Sequence, residues 1–93
     1  MMNVCTFVGE IAELTIQSDS TEINIKVAEY YTNSRGEKKV DYNLVPCVAY
    51  STAGEYIKRN AKRGDNIAVR AMYVSDNYYD YVFRVNEFKI IKD

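Results

Sequence analysis

The sequence predicts an all-β fold: a single domain over residues 1–93, built as a five-stranded Greek-key barrel with one short helix between strands 3 and 4. Three observations predict it. Apolar and polar residues alternate with period two over 22–28, the signature of a half-buried strand. The period becomes helical only once, between 52 and 63. Turn clusters separate the remaining apolar runs, so the elements follow in the order β-β-β-α-β-β.

The first strand covers residues 3–16 through Val4, Cys5, Phe7, Val8, Ile11, Leu14 and Ile16, with Gly9 inside it. A glycine within a strand marks a bulge or a sharp bend, as a tightly coiled barrel needs. A turn at 18–20, "SDS", leads to the second strand, "EINIKVA" at 22–28, with Ile23, Ile25 and Val27 on one face and Glu22, Asn24 and Lys26 on the other. A polar, basic loop, "TNSRGEKK" at 32–39, follows. The third strand, 40–50, has two usable faces: Val40, Tyr42, Leu44, Pro46, Val48 and Tyr50 share one parity, and Asn43, Val45, Cys47 and Ala49 the other. Pro46 has no amide hydrogen, so its position must meet an edge or an irregularity. The helix begins with a capping box, Thr52 with Glu55. Ala53, Tyr56, Ile57 and Ala61 form its apolar stripe, which places Tyr56 in the core, and Gly64 stands at its C′ position. Strands at 66–74 and 79–91 complete the barrel, joined by a tyrosine-rich turn.

Composition narrows the function. Of 93 residues, 47% are hydrophobic, and twelve basic against thirteen acidic side chains give a net charge of −1. This argues against a basic coating protein but leaves room for a local positive groove. No apolar run reaches the length of a membrane span, and "MMNVCTFVGE" lacks the basic start of a secretory signal. Cys5 and Cys47 lie in strand-like runs and read as buried free thiols in a reducing, cytoplasmic setting. Histidine is absent, so the commonest general base and metal ligand is missing. No carboxylate pair, activated thiol or phosphate-cradling glycine loop is present, so the chain reads as a non-enzyme with no cofactor and no metal.

Nine of the aromatic residues are Tyr, three are Phe and none is Trp. Tyr73, Tyr78, Tyr79 and Tyr81 crowd one hairpin, and adjacent strand residues face opposite ways, so at least one of Tyr78 and Tyr79 is exposed. Tyr42 and Tyr50 face outward if Val45, Cys47 and Ala49 face inward. Arg35, Lys38 and Lys39 lie beside Tyr30, Tyr31 and Tyr42, either as an ordinary solvated hairpin loop or as cations interleaved with stacking rings. "KRNAKR" at 58–63 reads as helix-terminal charge complementing the macrodipole, with Arg63 the member best placed for a phosphate.

Three segments resemble the bacterial and phage single-stranded DNA-binding proteins of the OB-fold type. "NVCTFVGEI" looks like the opening strand of that family. "INIKVAEYYTNSRGEKK" looks like its second strand and loop. "LVPCVAYSTAGEYIKRNAKRGDNIAVRA" looks like its third strand, helix and entry to the fourth strand. The resemblance implies stacking roles for Tyr50, for Tyr78 and for Tyr30 or Tyr31, and cationic roles for Lys38 and Lys39. The sequence also departs from the family. Leu44 stands where relatives carry an aromatic, Thr52 replaces a common Lys, and "SDN" at 75–77 replaces basic residues. Up to Asp93 the sequence shows no counterpart of the glycine-rich linker and acidic tip through which relatives recruit partners, so the resemblance implies no such recruitment from these residues.

The combined expectation is a protein that binds single-stranded DNA with little sequence preference, in replication, recombination or repair. Tyr30, Tyr31, Tyr42, Tyr50, Tyr73, Tyr78 and Tyr79 are its candidate stacking residues. Arg35, Lys38, Lys39, Arg63, Arg70 and Arg84 are its candidate phosphate contacts. Family members assemble as dimers or tetramers, which implies a homo-oligomer here. The alternative is an OB-fold adaptor for a replication or recombination protein, with the tyrosines as a protein hot spot.

Overall fold

A continuous run of strand-forming residues, Val4 to Ile16, makes β1 and serves two neighbours in succession. In the computed structural model, which describes residues 4–74 and 82–92, β1 is followed by β2 (Ser20–Thr32), β3 (Lys38–Tyr50), α1 (Ser51–Asn60), β4 (Asn66–Val74) and β5 (Val82–Ile91). Residues Val4 to Glu10 of β1 pair with β4, and Glu10 to Ile16 pair with β2. The remaining pairings close a barrel in the order β1-β2-β3-β5-β4, with β3 and β5 parallel and every other pair antiparallel. The strand order and the single helix match the fold class that the alternation predicts.

Gly9 serves a different end from the predicted bulge. The register of β1 shifts between Ile11 and Glu13. At Gly9 itself, a Cβ would collide with the carbonyl oxygen of Lys26, so glycine permits the close approach of β1 and β2 where β1 changes partner.

Inward positions fill the barrel. Ile11, Ile23, Ile25, Cys47, Ala49, Ile57, Ile67, Val69 and Val85 form the buried core, with Phe7, Leu14, Val27, Val45, Phe83, Phe88 and Ile90 packed around it. Each buried Ile or Val contributes about 1.5–3 kcal/mol relative to exposure. Cys47 is buried and Cys5 half-buried, and both are free thiols; burial pushes the Cys47 thiol up to about 12. Pro46 lies one residue before the point where β5 joins β3 at Cys47 and Val48, so its missing amide falls beside an edge that β5 has not yet taken up.

The helix requires three corrections. It begins at Ser51, with Tyr50 as its N-cap and no side-chain hydrogen bond at that cap, so Thr52 and Glu55 form no capping box. Ile57 and Gly54 face the barrel, while Tyr56 is 55% exposed and packs its ring against Phe88 at 5.5 Å between centroids. The apolar stripe is narrower than expected: Tyr56 falls on its flank, where β5 supplies a ring but no cover. Gly64 is not the C′ residue, because the helix ends at Asn60 with an extended Ala61 as C-cap. Instead, Gly64 takes φ +97° in the turn closed by Asp65 N–H donating to the Lys62 carbonyl. That turn is fastened to the middle of β1: Ile11 N–H donates to the Asp65 carbonyl at 2.8 Å, and Gly64 N–H to the Ile11 carbonyl at 2.9 Å. A hydrogen bond from the Lys92 ammonium at 2.9 Å, with a further one from the Lys62 amide, holds the Asp65 carboxyl below its usual range.

Among the described residues, no helix is long and apolar enough to cross a membrane, and no group of three or more His, Cys, Asp or Glu could hold a metal ion.

Candidate nucleic-acid interface

β2 and β3 are both longer than the sequence predicts, and their extra length creates the site. Their ladder runs without interruption from Ser20↔Tyr50 to Thr32↔Lys38. β1 leaves β2 at Lys26, and among the described residues β5 pairs in register with β3 at Cys47 and Val48. Among the described residues, 27–32 and 38–43 therefore pair only with each other, as a two-stranded arm with Leu44 at its base opposite Lys26, extending beyond the barrel by roughly 20 Å at about 3.4 Å per residue. The molecule is correspondingly elongated, 49 × 35 × 23 Å.

Directly opposed residues share a face, so the register sorts the candidates. The pairs Tyr30↔Val40, Ala28↔Tyr42, Lys26↔Leu44 and Ser20↔Tyr50 share the outer parity, on which Ser20 and Val48 are nevertheless buried. Tyr30 is 81% exposed, Leu44 61%, Tyr42 57%, and Tyr50 43%. Lys38, opposite Thr32, belongs to the same face. The pairs Glu29↔Asp41, Val27↔Asn43 and Tyr31↔Lys39 form the underside. The choice between Tyr30 and Tyr31 is thus a choice of face: Tyr30 joins the row with Tyr42 and Tyr50, and Tyr31 does not.

The cations divide in a similar way. Lys38 stands beside the row, whereas Lys39 lies on the underside, 3.6 Å from Glu37. Arg35 sits at the loop tip, which Asn33 organises by accepting the amides of Arg35 and Glu37 on its side-chain oxygen. Arg84 faces outward on β5, opposite Val48 of β3, and donates to the Met72 sulfur at 3.9 Å. Arg70 is one strand further around, on β4, and is paired with Glu87 at 3.6 Å. Arg63 lies in the turn after α1, next to Gly64, whose amide donates to Ile11 of β1. Tyr73 occupies the inward parity of β4, edge-on to Phe83, and is 42% exposed at the end of that strand. Tyr78, Tyr79 and Tyr81 lie outside the described residues.

Two residues that belong to this face were not among the candidates. The Lys26 ammonium lies 4.4 Å from the centroid of the Tyr42 ring, a cation–π contact. The alternation of 22–28 had already placed Lys26 outward, but only the register brings it to Tyr42. Leu44 extends the row from Tyr42 toward Tyr50, and of the two positions of that parity between them Pro46 is half-buried and Val48 buried.

No protein-family model and no curated protein sequence matches the chain. Solved structures do match it. One is a small single-stranded DNA-binding protein from Streptomyces coelicolor, 12% identical, covering 95% of this chain and 92% of that one with a TM-score of 0.71. Another is the single-stranded DNA-binding protein of Plasmodium falciparum in complex with single-stranded DNA, 13% identical, covering 98% and 94% with a TM-score of 0.72. A third is the protein priB from Ralstonia solanacearum, 7% identical, covering 98% and 100% with a TM-score of 0.71. The likeness is one of architecture, a five-stranded closed barrel with one helix between β3 and β4, and in that architecture this chain carries the OB fold of the single-stranded DNA-binding proteins.

Proposed function

We propose that the chain binds single-stranded DNA with little sequence preference on the outer face of β2 and β3. The observation that carries this reading is the row Tyr30, Tyr42, Leu44 and Tyr50, all exposed on one face. A row of exposed apolar side chains marks an interaction surface, and flat rings accept any base because every base has a π-face. Lys26 covers one face of Tyr42 and leaves the other to a base. Phosphates would be met by Lys38 and Arg84, and by Arg35 at the loop tip, with Tyr73, Tyr78 and Tyr79 extending the ring surface at the other hairpin. Tyr31, Lys39, Arg63 and Arg70 are peripheral in this reading.

Self-association would lengthen the track, and the exposed Val4 and Val8 on the outside of β1 support it. The roles in replication, recombination or repair follow from the binding itself, which suits any process that exposes single strands.

The test is an anisotropy titration with labelled oligothymidylate at two salt concentrations. Binding should be much tighter than to duplex, and Tyr50→Ala should weaken it by about 1–3 kcal/mol. With few cations at the face, the logarithmic salt slope should be shallow, about −2 for some three phosphate contacts on a single strand. Oligothymidylate that leaves the tyrosine fluorescence and the anisotropy unchanged would refute the reading and favour a protein partner on this face.

A further inference from the structure

The outer surface is charged differently on the two sides of the tyrosine row. Opposed residues trace lines across the sheets: Glu10–Lys26–Leu44, Glu13–Asn24–Pro46, and Thr15–Glu22–Val48–Arg84–Met72. On the β1–β2 side, the outward carboxylates are therefore Glu10, Glu13 and Glu22, alongside Lys26, Asn24 and Thr15. Among the described residues, no cation forms an ion pair with any of them. Glu13 accepts a hydrogen bond from the Asn24 amide and Glu22 one from the Gln17 amide, both at 3.3 Å and both from neutral donors. Lys26 stands opposite Glu10 but has its ammonium over the Tyr42 ring. On the β5 side, the outward residue next to Val48 is Arg84, which pairs with no described carboxylate.

We infer that Glu10, Glu13 and Glu22 set the preference for a single strand over duplex, by excluding a second row of phosphates from this face. The inference rests on the nucleic-acid reading above. A base stacked on the β3 rings has its own backbone on one side or the other. The Arg84 side attracts phosphate, and the β1–β2 side repels it. A paired strand has to carry its backbone across the bases from the first, which places it over the carboxylates. Adjacent strands lie about 4.7–4.9 Å apart, so Glu22 is roughly 5 Å, and Glu10 and Glu13 roughly 10 Å, to the side of β3. That is within or near the Debye length of about 8–10 Å at ordinary ionic strength.

The experiment compares the parent with E10Q/E13Q/E22Q for binding of labelled oligothymidylate and of a hairpin duplex of matched length. Glutamine keeps the acceptor oxygen for Asn24 and Gln17, and all three sites are at the surface, so the fold should survive. A control variant, E29Q/E37Q/D41N, raises the net charge equally but on the arm's underside and tip. Each carboxylate removed at this range is worth about a two- to threefold change, so duplex affinity of the first variant should rise about tenfold. Single-strand affinity should rise much less, the control should show no such selective gain, and the difference should fade near 1 M salt, where the Debye length is about 3 Å. An equal gain for both nucleic acids, a matching selective gain in the control, or no gain at all would overturn the inference while leaving single-strand binding intact. A parent that fails to bind oligothymidylate would overturn this inference and the proposed function together.

Discussion

The β2–β3 hairpin has two halves that share one ladder and differ in which side is apolar. In the barrel half, the odd-numbered residues Ile23, Ile25, Cys47 and Ala49 are apolar and buried. In the arm half, with Leu44 at its base, the even-numbered residues Ala28, Tyr30, Val40, Tyr42 and Leu44 are apolar, and the four larger ones are exposed, while the odd positions beyond Val27, which still packs on the core, carry Glu29, Tyr31, Lys39, Asp41 and Asn43. The register does not slip between the halves. The apolar stripe therefore passes from the inside of the sheet to the outside as the hairpin leaves the barrel. The barrel half has β1, β5 and α1 to cover it, and among the described residues no other strand or helix pairs with the arm half. Its underside is instead stitched by polar contacts, such as Asn43 donating to Glu29 at 3.0 Å. The same periodicity thus encodes a core in one place and an exposed apolar face in the next.

The largest expected effect separates the halves by stability. Ile25→Ala, at a fully buried position opposite Val45, should cost about 2–5 kcal/mol in urea unfolding. Leu44→Ala, the next position on the same ladder, should change stability by no more than about 0.5 kcal/mol. If the two variants unfold alike, the arm side chain is packed in solution and the contrast fails.

Alkaline pH should act on the barrel half through Cys47. Burial raises its folded pKa from 9.0 to about 12, so the folded chain holds a proton that the unfolded chain releases. The stability this provides is complete below pH 9 and is lost as the pH rises toward 12. At about 1.4 kcal/mol per unit, the loss is roughly 2 kcal/mol by pH 10.5. Cys47→Ala should be less stable at neutral pH but should lose less between pH 9 and 10.5. An identical pH slope in parent and variant would exclude the thiol as the cause.

Most of the barrel could be read from the sequence because burial enforces alternation: Ile23, Ile25 and Val27 against Glu22, Asn24 and Lys26 leave one register for β2. The arm could not be delimited in the same way. The sequence predicts β2 to stop at Ala28 and β3 to start at Val40, because Glu29 to Thr32 and Lys38 to Lys39 show no apolar face that a core requires. Tyr56 was misassigned for a related reason. Helical spacing puts it near Ala53 and Ile57, but only the position of β5 decides that the flank carrying Tyr56 stays open. Outward Tyr42 and Tyr50 were legible from parity alone, whereas Lys26 on the Tyr42 ring needed the cross-strand register.

Tyr42→Ala tests the arm as a binding surface. It should weaken oligothymidylate binding by about 1–3 kcal/mol and leave the urea midpoint within about 0.5 kcal/mol of the parent. Tyr42→Phe should retain most of the affinity, because the ring and not the hydroxyl carries the stacking. Loss of affinity accompanied by an equal loss of stability would assign Tyr42 a structural role.

The finest distinction lies between two adjacent tyrosines. Tyr30 and Tyr31 are chemically identical neighbours, and the ladder sends them to opposite faces, Tyr30 against Val40 and Tyr31 against Lys39. Tyr30→Ala removes a ring from the outer row near the free end of the arm, where a bound strand has fewer neighbouring contacts, so the loss should lie at the low end for stacking, about fivefold in affinity. Tyr31→Ala removes a ring from the face that carries Glu29 and Asp41, where a phosphate backbone is repelled, and should change affinity by less than about twofold. The two variants lose the same side chain from the same ribbon, so an effect through arm stability would weaken both equally. Equal losses would mean that the strand wraps the arm or that the arm merely needs its rings to stay folded; a larger loss at Tyr31 would reverse the assignment of faces.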